Sequence, residues 1–344
     1  MFNLEVSGKE FEYFSQFNLA LQFNSVSSVF SFDCLIETQE QKEIFKPLSY
    51  NNVRVKYSNE LLLTGTILNT STSAESSKSL GNISGYSKTG VLEDCEIPIS
   101  LYPLQSDGLS LKQITEKLIR PFGINLIVDS TVLVSANKKY DIITADADQS
   151  IIDYIVELAK QRDIIVTHNE LGYLRFTKLN TKLPSIATYT EGMPVTKIIL
   201  SVNGQGIHSQ ITVQKQATID VDVSGEKTLS NIMVGKFRPT VKKQTAGNNS
   251  DTENTANIER AAELRNIKLT IETDRWKWTD GKKISIIKPN NIIEVQSPSN
   301  CINSRTRFFV EKVDYKSDEN GINAILTCVL PEVYTGETPK NIFA

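Results

Sequence analysis

Histidine is almost missing from this chain, with 2 among 344 residues, His168 and His208. That count excludes a histidine-rich metal site. Cysteine is scarce too. The 4 present, Cys34, Cys95, Cys301 and Cys328, lie far apart with no CxxC pair, which reads as reduced thiols rather than a disulfide framework or a zinc site. There is no basic excess. Lys and Arg total 37 against 40 Asp and Glu, a net charge of −3, which argues against a protein that coats nucleic acid. The same balance suits a surface that lets a polyanion slide past, since like charge repels phosphates. No stretch approaches the roughly 20 apolar residues that span a bilayer, so no stable membrane insertion is expected. The opening MFNLEVSGKEF lacks a basic segment and an apolar run, so no secretory signal is expected, and synthesis in a cytoplasm is.

Motifs that carry chemistry are equally thin. Asn203-Gly204-Gln205-Gly206 lacks the third glycine and following helix of a dinucleotide fingerprint and reads as a turn. No P-loop and no GxSxG elbow occur. Asp146-Ala147-Asp148 lacks the later glycine and glutamate of a calcium loop; it places negative charge at the start of a helix instead. Glu93, Asp94 and Glu96 form an acidic cluster, but their spacing along a strand end gives no separate acid and base environments. Trp276 and Trp278, with Arg275 and Lys277, could form a stacking platform; packing into a β-core is the favoured reading. Asn69, Asn82 and Asn248 head glycosylation-type triplets that carry no weight without a signal peptide. No enzyme activity, cofactor or metal is expected.

What is present is a patterned, ordinary globular composition, 40% hydrophobic and 22% charged, long enough for two or three domains. Residues 1–100 read as short alternating strands at near-regular spacing, with a hairpin about Ser58-Asn59-Glu60 and a mobile Ser/Thr-rich loop at Thr70 to Ser79. Residues 101–185 change to helix followed by strand, twice, at an offset of about 40: Ser110-Leu111 matches Ser150-Ile151, Leu118 matches Leu158, and Ile124 matches Ile164. Ser110-Leu111-Lys112-Gln113 has capping-box form, Leu111, Ile114, Leu118 and Ile119 share one helical face, and Pro121 with Gly123 stops the helix. Residues 186–344 return to strands, among them Gln210 to Val223. They are interrupted by a flexible loop over about 241–256 and a helix over about 257–265. The fold class expected is α+β, predominantly β: two tube-like β-barrel or sandwich domains around a small α+β insert.

Several blocks, in order along most of the chain, resemble the baseplate hub proteins of contractile-tailed bacteriophages, the phage Mu-type tail hub or late-control family. They are Val6-Ser-Gly8, Val29 to Phe32 and Leu63-Thr-Gly65, then Gly85-Tyr86-Ser87 with Leu92 to Cys95, including Asp94. Next come Leu111 through Pro121-Phe122-Gly123, Phe237-Arg238-Pro239 with Ala261-Ala262-Glu263, Trp278 with Gly281, Pro289-Asn290, and the closing Gly321 to Pro331. Lys277 and Ile287-Lys288 depart from the family's pattern. The resemblance implies a structural virion protein: a homotrimer whose two β-domains per chain form a pseudo-sixfold ring. Such a ring joins the hexameric tail tube protein to the trimeric central spike protein within the baseplate wedges. DNA passes through it only in transit during ejection. It further implies that exposed strands pair with neighbours, and that Gly85, Asp94, Pro121, Phe122, Gly123, Arg238, Pro239, Trp278, Pro289 and Asn290 are structural motif positions. The competing expectation is a tail-associated protein that binds or degrades peptidoglycan through Glu93/Asp94 or Trp276/Trp278.

Overall fold

The protein is described by a computed structural model over residues 2–12, 14–74, 79–103, 105–140, 143–146, 148–180, 182–215, 226–244, 249–279, 284–319 and 321–344. It is predominantly β, and its contacts divide it into two compact units. One is Met1–Lys178 with Asp314–Ile322; the other is Leu179–Val313 with Asn323–Ala344.

The first unit begins with β1 (Phe2–Val6), β2 (Lys9–Phe11), β3 (Gln16–Gln22) and β4 (Val29–Leu35). A capped helix, α1 (Gln39–Ile44), precedes β5 (Asn52–Tyr57), β6 (Glu60–Ala74) and β7 (Ser79–Ser87). Alternation decides the faces: Phe30, Phe32 and Cys34 of β4 turn inward, whereas Val29 and Leu35 are exposed. The strands form an antiparallel sheet in the order β2-β1-β5-β6-β7-β4-β3. The loop expected at Thr70 to Ser79 is largely strand. β6 continues to Ala74, paired with β7 from Asn69↔Ser84 to Ala74↔Ser79, while residues 75–78 lie outside the described set. Main-chain pairing needs no apolar side chain, so a Ser/Thr run without hydrophobic periodicity extends a ladder already started by its neighbours.

The helical part of this unit holds α2 (Val91–Asp94), α3 (Leu111–Ile119), β8 (Leu126–Val128), α4 (Leu133–Asn137), α5 (Ile151–Lys160), β9 (Ile165–His168) and β10 (Leu174–Thr177). The acidic stretch at 93–94 is therefore helical rather than a turn at a strand end. β10 lies between the two repeats' strands, parallel to β8 and antiparallel to β9. The capping box of α3 is closed both ways: Gln113 N–H donates to Ser110 Oγ at 3.3 Å, and Ser110 N–H to Gln113 Oε1 at 3.0 Å. At α5, Asp153 N–H donates to Ser150 Oγ at 3.1 Å. Leu111, Ile114, Leu118 and Ile119 enter one core with Ile151, Ile155, Leu158 and Phe176. Pro121 sits in a 3-10 turn, and Gly123, at φ 62, makes the left-handed reversal that a side chain would disfavour. Ser110→Ala is expected to lower stability by about 1 kcal/mol, read from the urea midpoint, because Ser110 is buried and the Gln113 N–H would lose its acceptor.

The second unit contains β11 (Ser185–Thr190), β12 (Val195–Val202), β13 (Gln210–Lys215), β14 (Glu226–Ser230), β15 (Pro239–Gln244) and α6 (Asn249–Leu264). It continues with β16 (Ile267–Thr273), β17 (Lys277–Thr279), β18 (Ile284–Ile286), β19 (Asn291–Ser297), β20 (Ile302–Asp318), β21 (Gly321–Val329) and α7 (Glu332–Thr335). The flexible loop expected over 241–256 is instead β15 followed by the first turns of α6; only residues 245–248 fall outside the described set. Thr252 and Ala256 are buried where α6 packs on β13 and β14, so tertiary contact makes a helix of a segment whose polar sequence reads as loop. The strand expected over Gln210 to Val223 ends at Lys215, and residues 216–225 lie outside the described set.

The main sheet of this unit runs β12-β16-β21-β20-β19-β11. Its strand order repeats that of the first unit. Counting β1, β3, β4, β5, β6 and β7 as one to six, and β11, β12, β16, β19, β20 and β21 likewise, both sheets read 1-4-5-6-3-2. One pairing differs, because β1 is antiparallel to β5 whereas β11 is parallel to β19. The last turn of the β20–β21 hairpin, Asp314–Ile322, belongs to the first unit, where β20 hydrogen-bonds the outer edge of β3. There Tyr315 is fully buried, edge-on to Phe2 with ring centroids 6.0 Å apart.

Candidate functional site: the joint of the first unit

The segment from Gly85 to Leu126 leaves the sheet and enters the helical core, and a cluster of short side chains fastens that passage. Ser87 N–H donates to Ser28 O at 2.7 Å, Ser28 N–H donates to Ser87 Oγ at 3.1 Å, and Ser87 Oγ donates to Val26 O at 3.1 Å. The Thr89 hydroxyl donates to the same carbonyl. Val26, in the β3–β4 connection, is itself a member of the helical core beside Leu92, Ile97 and Leu111. The connection from β3 to β4 is thus held by β7 on one side and by the insert on the other.

His168 completes the joint from the end of β9. Its Nδ1 lies 3.0 Å from Ser25 O and its Nε2 lies 2.9 Å from Ser28 Oγ. A carbonyl only accepts, so Nδ1 carries the proton, and the Ser28 hydroxyl donates to a bare Nε2 in the neutral ring. Ser28 Oγ also accepts from Gln22 N–H at 3.1 Å, so each polar atom here is used. Burial holds the imidazole pKa down to about 4, against its ordinary 6.5, with the Ser25 carbonyl acting in the opposite sense.

The acidic cluster is part of the same joint. Tyr86 Oη donates to Asp94 Oδ2 at 2.8 Å, and burial first, then the Asp94 bond, pushes the phenol's pKa up. Glu93 accepts from Ser25 Oγ at 3.4 Å, and burial raises its pKa against the lowering effect of that bond. The two carboxylates are anchored by a phenol and a hydroxyl in one short helix. Lys88 Nζ donates to Gly123 O at 2.6 Å, tying the start of the passage to the end of α3.

The residues singled out by sequence thus fall into two groups. Gly85, Asp94, Pro121, Phe122 and Gly123 lie along this passage in the first unit; Arg238, Pro239, Trp278, Pro289 and Asn290 lie in the second. Arg238 N–H donates to Ser209 Oγ at 2.8 Å, and Pro239 opens β15 opposite Gln210. Trp278 tilts against Tyr189 with centroids 5.2 Å apart, and Asn290, at φ 66, donates its N–H to Val310 O at 3.0 Å after Pro289. Trp276 is 5% exposed and its indole donates to Asn323 O at 2.8 Å, so it offers no free stacking face. His168, Ser25, Ser28 and Ser87 were not singled out by sequence. Their partners lie up to 143 residues away, and no local pattern marks them. Among the described residues no group of three His, Cys, Asp or Glu side chains could hold a metal ion, and no helix is long and apolar enough to cross a membrane.

Residues 89–178, which begin at Thr89 within this joint, match the family model described as baseplate hub protein gp44-like, second domain. This stretch belongs to the gp44-like baseplate hub family. The hub domain so defined runs from the joint through α2 to β10. No curated protein matches the chain. Its whole fold is similar to that of the 43 kDa tail protein of prophage MuSo2 from Shewanella oneidensis, with a TM-score of 0.80 at 18% identity over 97% of this chain and 98% of that one. A tail protein from Neisseria meningitidis MC58 is similar at a TM-score of 0.79 and 16% identity, covering 97% and 98%. More distant is a component of the Escherichia coli type VI secretion system, described as similar to the T4 bacteriophage tail proteins gp27 and gp5. It matches with a TM-score of 0.59 at 11% identity, over 98% of this chain and 80% of that one.

Proposed function

We propose that the chain is the structural hub of a phage tail baseplate: a homotrimer whose two β-sheet domains per subunit form a pseudo-hexameric ring. The ring joins a hexameric tail tube protein to a trimeric central spike protein, inside the baseplate wedge proteins, and lets DNA pass when a contractile tail ejects it. In this reading the two tube-like domains are residues 1–100 and 186–344, and residues 101–185 are the insert between them. The shared 1-4-5-6-3-2 strand order carries the proposal, because a threefold object that meets a sixfold one needs two similar surfaces in every chain. The hub-family match of residues 89–178 supports it, as does the net charge of −3, which gives a passing polyanion little to bind. Work of this kind is done by interfaces rather than by a reaction, so the chain acts as a component of the virion and not as an enzyme. It is made in the cytoplasm of the bacterial host.

Light scattering on the purified chain is expected to give a mass near 115 kDa, three times the 38.4 kDa subunit, with the mass of any bound tube or spike protein added to it. Images of that species are expected to show a threefold ring with a central hole. A stable monomer in the presence of both partners would sink the proposal.

A further inference from the structure

Two of the strand edges left open among the described residues correspond to a pair the chain has already joined once. In the first unit the second strand of the sheet, β3, has its outer edge covered by the end of β20, a fifth strand. Covered in this way, the core-facing residues of β3, Phe17, Leu19 and Leu21, are all buried. The second strand of the other sheet is β12. Among the described residues it pairs with β16 alone, and no strand covers its outer edge, where the Ile198 carbonyl accepts from Asn300 Nδ2 at 3.2 Å. Ile198, Leu200 and Val202 stand opposite the buried Ile271, Leu269 and Ile267 and so share the core face. Yet Ile198 and Leu200 are half-buried, and Val202 is 45% exposed. The core of this sheet is unfinished at β12.

The other open edge is on the remaining fifth strand. β6 pairs with β5 only as far as Asn52↔Thr66, while its pairing with β7 runs on to Ala74. Residues 68–74, LNTSTSA, therefore have one free edge among the described residues, and Leu68 is half-exposed. Protection of both edges is confined to their starts, a register shift between Ile67 and Asn69 on β6 and one between Val195 and Lys197 on β12. Residues 68–74 carry no charge and no proline, and β12, VTKIILSV, is rich in β-branched residues and carries one lysine. The lengths agree, with seven residues facing a strand of eight.

We propose that residues 68–74 of β6 in one copy of this chain add to the open edge of β12 in a second copy. The contact repeats, between subunits, the second-to-fifth strand pairing already made on β3. The occupant is a second copy because the donor edge and the acceptor edge sit on the same chain and are not paired within it. Main-chain hydrogen bonds would supply the pairing, and Leu68 would help to cover Ile198 and Leu200. One donor and one acceptor per subunit make a head-to-tail contact that closes into a ring or runs into a filament. Closure at three rests on the hub reading above; the pairing itself does not.

The test is disulfide trapping in a Cys301→Ser background, which removes the exposed native thiol. Cysteine is placed on the donor edge at Ser71 or Ser73 and on the acceptor at Ile199 or Ser201, in four pairs, with the single variants as controls. Circular dichroism checks the fold. Under mild oxidation at least one pair is expected to give covalent dimers and trimers that each single variant lacks and that reductant removes. A wild-type chain that scatters as a trimer while all four pairs fail to cross-link overturns the edge pairing and leaves the hub reading standing. A chain that stays monomeric with its partners and does not cross-link overturns both.

Discussion

Gly85→Ala is expected to destabilise the first unit by about 3 kcal/mol, near the upper end of what overpacking usually costs. A Cβ at that position would stand 2.0 Å from Thr66 O, 2.9 Å from Thr66 C and 2.7 Å from Phe30 Cζ. Two of the three are backbone atoms of the facing strand, which cannot swing aside as a side chain would. Gly65 meets the mirror of this problem, since its Cβ would stand 2.1 Å from Tyr86 O. β6 and β7 thus approach closely where each carries a glycine, beside the irregularity between Ile67 and Asn69. Relief would require the strands to separate, at the cost of ladder bonds on both sides of β7. The strand continues directly into Tyr86 and Ser87, so the joint to the hub domain would shift with it. The melting temperature of G85A is expected to fall by about 6–12 °C. Gly204→Ala, where an added Cβ meets nothing within 4 Å, should change it little. Indistinguishable melting curves for the two variants would mean that the strands are not held in this register.

Gly85 also marks how far sequence could reach. A glycine beside an aromatic, ahead of an acidic stretch and a capped helix, is legible as a junction, and the Ser110 cap, the Gly123 reversal and the inward faces of α3 and β4 follow from spacing alone. Local chemistry decides those features. The end of β6 and the start of α6 were hidden for the opposite reason. Thr70 to Ala74 and Asn249 to Asn257 are polar runs whose conformation is set by β7 in one case and by β13 and β14 in the other. The joint was half visible. Asp94 and Glu93 stand out in the sequence as an acidic cluster, but nothing near Glu93 in the sequence points to Ser25, or near His168 to Ser28. The duplicated sheet was hidden more deeply. A 1-4-5-6-3-2 order places neighbours in the sheet far apart in the chain, and the second copy carries β13 to α6 between its second and third strands. No fixed offset aligns the two, whereas the short helix-and-strand repeat at about 40 residues could be read by eye.

Acid is expected to loosen the joint through His168. In the folded chain both ring nitrogens are engaged, one by a carbonyl that only accepts and one by a hydroxyl, and burial disfavours the charged ring. A second proton would have to sit on Nε2, where the Ser28 hydroxyl now donates, and would have no acidic partner at hydrogen-bonding distance. The folded pKa, about 4, lies below the 6.5 of an unfolded histidine, so at intermediate pH the unfolded chain binds more protons. Stability from this residue is therefore complete above pH 6.5 and lost as the pH falls from 6.5 toward 4. Because the ring edge retains some exposure, the effect is expected to be about 2 kcal/mol, less than the full shift would give. Glu93 works the other way. Its carboxyl pKa is raised by burial, so its protonation in acid favours the folded state and masks part of the loss. The comparison to make is therefore a difference, unfolding free energy of the wild type minus that of His168→Gln, followed from pH 7.5 to pH 4. The wild type is expected to lose its advantage over that range, while far-UV circular dichroism reports the same fold for both at neutral pH. Parallel stability curves, or an NMR titration of His168 centred near 6.5, would mean that the ring is not held neutral by the Ser25–Ser28 connection.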